Sequence, residues 1–185
     1  MKTLATLLLL AATPAMAATL DGVTFPDKVA LEGKALQLNG IATRKATIFK
    51  VKVYVGALYL ESPSSDAQAV VASPQLKRIQ MQFVRDVGSK DIHKTWRENY
   101  EKNCADACEA DKAKLEQLLG YLSADVKSGD QTTYNFLPGK VEVFVGAEKK
   151  GVIEGATMAR TILLSYLGPK VADENLRDGL LGKKH

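Results

Sequence analysis

The chain has 185 residues, 46% of them hydrophobic, and a formal net charge of +4. That length and apolar content favour one domain with a sizeable core. A mild positive excess without a dense Lys/Arg block argues against a nucleic-acid partner. Beyond the N-terminus no stretch approaches the ~20 uncharged apolar residues of a transmembrane helix.

Residues 1–17, MKTLATLLLLAATPAMA, are organised as a secretory leader. Lys2 is a short basic start, a leucine-rich run follows, and Ala15-Met16-Ala17 reads as an A-x-A cleavage site. The mature chain would begin at Ala18 and form one domain over 18–185, with the charge reduced by one on loss of Lys2. This predicts a secreted, periplasmic protein with no transmembrane segment.

LDGVTF reads as a short strand, and KALQLNGIATR and ATIFKVKVYVGALYLE as two extended segments with Arg44-Lys45 as a candidate turn. In the second segment Phe49, Val51, Val53, Val55, Ala57 and Tyr59 share one face by period two. Ile48, Lys50, Lys52, Tyr54, Gly56, Leu58 and Leu60 share the other. The first face is uniformly apolar and is expected in a core; the second mixes cations, a phenol and leucines.

SSDAQAVVAS predicts a short helix capped by Ser65 or Asp66. LKRIQMQFVRDV is a strand with Ile79, Met81 and Phe83 on one face. SKDIHKTWRENYEKNC is an amphipathic helix with Ser89 as N-cap, and its spacing puts Ile92, Trp96, Tyr100 and Asn103 on one stripe. EADKAKLEQLLGYLSADV is a helix with Leu115, Leu118, Leu119 and Leu122 inward. TTYNFLPGKVEVFVG reads as a hairpin around Pro138-Gly139, and GVIEG as a short strand. ATMARTILLSYLG is a helix stopping at Gly168-Pro169, and DENLRDGLLG a last helix with Asp173 as N-cap. Strands come in runs and helices in groups, which predicts an α+β fold: an antiparallel sheet with helices on one face.

Several chemistries lack their residues. There is no Gly-rich phosphate loop, dinucleotide fingerprint or G-x-S-x-G, so no cofactor is expected. The two histidines and two cysteines do not show zinc-ligand spacing, so no metal is expected. Cys104 and Cys108 lie in NCADACEA, and an even pair in an oxidising compartment suggests a disulfide that pins a turn between helices. Their CxxxC spacing speaks against a catalytic redox pair. What remains is a pocket: Trp96 and Asn103 can both face the sheet from one helix, although Asn103 reads equally well as a helix-end residue.

These residues also form a recognisable pattern. GIATRKATIFKVKVYVGALYLE, WRENYEKNC and GVIEGATMARTILLSYLGPKVADENLRDGLLG, in that order, resemble the signature hairpin, pocket helix and C-terminal strand–helix–helix of the chalcone isomerase-like family. The likeness covers most of the mature chain and is greatest to the bacterial secreted branch. It implies an open-faced β-sandwich, a large antiparallel sheet with helices over one side and a ligand cleft between them.

In the isomerases of that family, the cleft arginine matches Arg44 and the helix asparagine matches Asn103. A strand threonine that stabilises the developing enolate is replaced by Tyr54, and the assisting helix tyrosine by Trp96. Losing two hydroxyl positions disfavours chalcone cyclisation, which needs donors aimed at the enolate oxygen. The fatty-acid-binding members hold a carboxylate with an arginine and a tyrosine, a pair that Arg44 and Tyr54 match. The resemblance thus implies non-catalytic binding of a fatty acid or similar amphipathic carboxylate, with Arg44 and Tyr54 at the head group, Trp96 as apolar wall and Asn103 tuning the site. Two alternatives stay open. One is an intramolecular lyase acting on an enone or phenolic substrate through Arg44, Tyr54 and Asn103. The other is a scaffold partner of a membrane or redox assembly, its cleft filled by side chains.

Overall fold

The computed structural model describes residues 17–46 and 49–183; the expected leader, Ala17 excepted, lies outside them. Two tight turns organise the N-terminal part. Asp21 and Gly22, both at positive φ, join β1 (Ala17–Leu20) to β2 (Val23–Pro26), and Glu32 and Gly33 do the same between β3 (Lys28–Leu31) and β4 (Lys34–Ala46). Two-residue turns of this kind match the right-handed strand twist. LDGVTF is therefore part of a hairpin rather than a single strand, and its Asp-Gly pair is the sequence signal for it.

From β3 onward the chain builds a curled seven-stranded antiparallel sheet in which sequence order is spatial order. Its remaining strands are β5 (Val51–Leu60), β6 (Lys77–Phe83), β7 (Gln131–Leu137), β8 (Lys140–Val145) and β9 (Glu148–Glu154). Arg44 and Lys45, expected to turn, are strand residues of β4. The ladder sets Arg44 opposite Tyr54 and Lys45 opposite Lys52, with a register shift between the two pairs. Such an irregularity absorbs a residue and lets pairing continue, so the reversal falls after Ala46. Phe49, expected on a core face, sits in that connection and is 81% exposed. The period-two pattern ran past the end of the strand. Ile48 lies outside the described residues.

Every residue of β5 from Val55 to Leu60 is buried, because both faces of this central strand are covered. Val55, Ala57 and Tyr59 pack with Val23, Phe25 and Leu36 under the β1–β2 hairpin, and the Tyr59 hydroxyl donates to the Pro26 carbonyl at 3.0 Å. Leu58 and Leu60 belong to the larger cluster that joins the sheet to the helices. Val53 lines the cleft, but from Val55 onward the uniformly apolar face thus makes the smaller core. The face that also carries Tyr54 makes the larger one.

The helices are α1 (Ala67–Ala72), α2 (Ser89–Asn103), α3 (Lys112–Tyr121), α4 (Ala156–Leu167) and α5 (Glu174–Leu180), all on one side of the sheet. Asp66 caps α1 by accepting from the amides of Gln68 and Ala69. Gly88, not Ser89, holds the N-cap position of α2, and the Ser89 amide donates to Asp125 at 2.7 Å. Cys104 and Cys108 are joined by a disulfide with Cα atoms 4.9 Å apart, across the 3-10 turn Ala105–Ala107 that links α2 to α3. No helix among the described residues is long and apolar enough to cross a membrane.

One close approach positions the site. A β-carbon on Gly40 would lie 2.2 Å from the Gly179 carbonyl, and one on Gly179 would lie 2.6 Å from Cβ of Ala42. Glycine at both positions lets α5 lie directly against β4. This brings Asp173, which caps α5, over Arg44 near the far end of β4.

Candidate functional site

A cavity of about 540 Å³ opens between the sheet and the helices. Its floor consists of two rows across the strands. Arg44, Tyr54 and Phe83 stand in register on β4, β5 and β6. The next row is Met81, Thr132 and Val145 on β6, β7 and β8. The roof is α2, through Ile92, Thr95, Trp96 and Asn99, together with Tyr166 of α4 and Leu176 of α5. The cleft is open, not filled by side chains as a scaffold role would imply.

Arg44 and Tyr54 are neighbours at one edge of this cavity. Arg44 Nη1 donates to the Lys45 carbonyl and lies 3.3 Å from Asp173 Oδ2. Its Nε and Nη2 have no partner among the described residues. Asp173 is heavily engaged. Oδ2 also accepts from the Lys45 amide at 3.0 Å, while Oδ1 accepts from the amides of Asn175 and Leu176 at 3.1 and 3.2 Å. The Tyr54 hydroxyl has no hydrogen-bond partner among the described residues, and its ring meets Phe83 edge-to-face with centroids 5.6 Å apart. Burial pushes the Tyr54 phenol well above its ordinary pKa. Arg44 opposes this rise and Asp173 adds to it. Tyr54 therefore remains a protonated donor.

Trp96 is buried in the roof, edge-to-face with Tyr134 at 5.7 Å and with Tyr166 at 6.1 Å. The Tyr134 hydroxyl lies beside the Trp96 indole N–H and the Tyr166 hydroxyl, and burial raises the pKa of both phenols. Asn103 does not line the cavity. Its amide nitrogen donates to the Asn99 carbonyl at 2.9 Å, and Asn99 faces the cavity instead. The reason is length along the axis. Asn103 shares the stripe of Trp96 but lies seven residues on, about 10 Å further along the helix, where the core closes toward the disulfide.

The structure therefore brings Arg44, Tyr54 and Trp96 to one cavity and leaves Asn103 out. It adds Thr132, Tyr134, Tyr166 and Asp173, which had not been singled out as site residues. Tyr134 and Thr132 alternate with polar neighbours in β7, and Tyr166 follows Ile162 by one helical turn, so each is legible as inward-facing. Nothing local says that they share one space. No group of three or more His, Cys, Asp or Glu is placed to hold a metal ion among the described residues.

An apolar cleft between a curled antiparallel sheet and a one-sided helix layer, with an arginine–tyrosine pair at its edge, defines an open-faced α+β domain. The sequence matches the chalcone isomerase-like family over residues 17–182, so the chain belongs to that family. The crystal structure of a fatty-acid binding protein from Arabidopsis thaliana is similar in fold, with a TM-score of 0.76 over 90% of this chain and 96% of that one. The two sequences are 14% identical. No curated protein matches the sequence.

Proposed function

We propose that the protein binds a fatty acid or similar amphipathic carboxylate in the cleft without transforming it, and that it does so as a secreted, periplasmic protein. One observation carries the reading: a largely apolar cavity of about 540 Å³ has a guanidinium and a phenol side by side at one edge. The volume lies in the range of small-molecule pockets. The plant relative of the same fold, described as a fatty-acid binding protein, supports it. The ligand carboxylate takes the Arg44 donors that Asp173 leaves open, together with the Tyr54 hydroxyl. Charge-assisted bonds of this kind are about twice as strong as neutral ones. The acyl chain runs over Phe83 and Met81 beneath Trp96.

Native mass spectrometry of the purified protein and displacement of a fluorescent fatty acid from wild type and Arg44→Ala test the reading. A bound acyl species and a weakened variant are expected. No acyl ligand, or equal affinity in the two proteins, overturns it. Sequencing the mature N-terminus from a periplasmic fraction tests the location, with Ala18 as the expected first residue.

A second reading, an intramolecular lyase on an enone or phenolic substrate, draws on the hydroxyl-bearing side chains that line the cavity. Tyr54 and Thr132 could donate to an enolate oxygen, although Trp96 offers no hydroxyl for proton relay. Turnover of any member of an enone panel, abolished by Tyr54→Phe, would favour it over simple binding.

A further inference from the structure

Thr132 is only 3% exposed, and its hydroxyl has no hydrogen-bond partner among the described residues. Yet every side-chain nitrogen or oxygen sealed from water among those residues has a partner. The Thr132 hydroxyl is therefore not sealed: it opens into the cavity that the residue lines. Two other buried hydroxyls behave differently. Thr161 and Ser165, both on α4, each donate to a carbonyl one turn back in their own helix at 3.0 Å. In a strand the side chain stands roughly perpendicular to the sheet while the backbone carbonyls point along it to the neighbouring strands, so Thr132 has no such carbonyl within reach. Met81 and Val145, the cross-strand neighbours of Thr132, are apolar. Packing alone would be served as well by valine, which has the same shape and suits a strand.

A second feature stands beside it. Tyr134 is two residues further along β7 on the same face, so its Cα is roughly 7 Å from that of Thr132. Its hydroxyl lies in the polar contact formed with Trp96 and Tyr166. Thr132 and Tyr134 thus place two hydroxyl-bearing side chains on one strand of the cavity floor, with Met81 and Val145 as the apolar neighbours of Thr132. The pair lies two strands away from Tyr54, about 10 Å along the sheet.

We propose that Thr132, with Tyr134 beside it, forms a second oxygen-binding subsite, so that the ligand is an amphipathic carboxylate carrying a mid-chain hydroxyl or carbonyl. This rests on the carboxylate-binding reading and specifies its ligand class. A threonine hydroxyl both donates and accepts, so it can pair with either group. A saturated chain over the same spot would strip water from the hydroxyl and leave it unpaired. A site built to hydrogen-bond a ligand oxygen discriminates against the analogue that lacks it.

The test is calorimetric titration of the delipidated full chain with a saturated fatty acid and with mid-chain hydroxy and oxo acids of the same length. The oxygenated acids are expected to bind roughly tenfold tighter, the range of one well-made hydrogen bond. Thr132→Val should bring the ratio close to one, whereas Thr132→Ser should preserve it. Circular dichroism reports whether each variant folds, and the serine variant keeps the test decisive if the valine variant does not. Measurable binding of all acids with no preference, or a preference that survives Thr132→Val, overturns the subsite alone. Binding of none of the acids to wild type overturns the carboxylate reading and the subsite with it.

Discussion

Arg44 and Asp173 meet at 3.3 Å although 129 positions separate them in the chain. The cation facing the cleft is therefore already held by a carboxylate, and that carboxylate also caps α5. The hold on the cleft cation and the docking of the last helix share one side chain, Asp173. An incoming anion feels Arg44 and Asp173 together.

Substitutions at the two positions should therefore act in opposite directions on a carboxylate ligand. Arg44→Ala is expected to weaken binding at least tenfold. Asp173→Asn keeps a good N-cap side chain while removing the competing charge, and should tighten binding several-fold. Asp173→Ala should also cost about 1 kcal/mol of stability through the lost cap. Probe displacement and urea unfolding, run on all three variants, check the set.

Tyr54 bears on pH dependence. Burial raises its folded-state pKa above the ordinary phenol value, so the protonated donor persists through pH 10. Affinity for a carboxylate should show no break near pH 10 that Tyr54→Phe removes. The substitution itself should cost about three- to tenfold at neutral pH. Ultraviolet titration of the phenolates in wild type and variant locates Tyr54 directly.

Gly40 is predicted to be intolerant. A methyl group there would come within 2.2 Å of the Gly179 carbonyl, which is backbone and cannot swing aside. Gly40→Ala should push α5 off β4 and destabilise the fold by about 2–3 kcal/mol, which corresponds to roughly 5–10 °C in a domain of this size. Because α5 carries Asp173, the Arg44–Asp173 contact should loosen as well. Thermal unfolding and chemical shifts around Arg44 report the two effects.

Lys77 makes stability depend on pH at a place remote from the cleft. It is 5% exposed, and its ammonium donates to the carbonyls of Ser73 and Gln75 at 2.7 and 3.0 Å. Burial pulls its pKa down to about 8, against a smaller upward pull from Glu61. Between pH 8 and about 10.4 the unfolded chain holds a proton that the folded chain has lost, so stability should rise with pH through that window. The gain should be at most about 3 kcal/mol and absent in Lys77→Met, as urea midpoints across the range would show.

The Cys104–Cys108 bridge closes a very short loop, with a sequence separation of 4. Chain entropy then assigns it only about 2 kcal/mol. The double Cys→Ser variant should lose about that much stability by urea unfolding. Its ligand affinity should change little, since neither sulfur lines the cavity.

Much of the fold follows from local order in the sequence. Period-two and helical spacing place the strands and helices, and Asp66 and Asp173 mark helix starts, because an N-cap satisfies amides two and three residues away. The hairpin at Pro138-Gly139 is equally local. The sequence also marks Arg44, Tyr54 and Trp96 as unusual residues for their elements. Periodicity tells which residues share a face of an element but not what covers that face. Only tertiary packing decided that the Tyr54 face of β5 meets the helices and that the cavity ends at Asn99, leaving Asn103 in the core. It also decided that Asp173 reaches Arg44 and that Thr132 opens onto the same space. Those relations depend on contacts between distant segments, above all the glycine-to-glycine approach of α5 to β4, whose energy is felt only when the sheet and helices are already assembled.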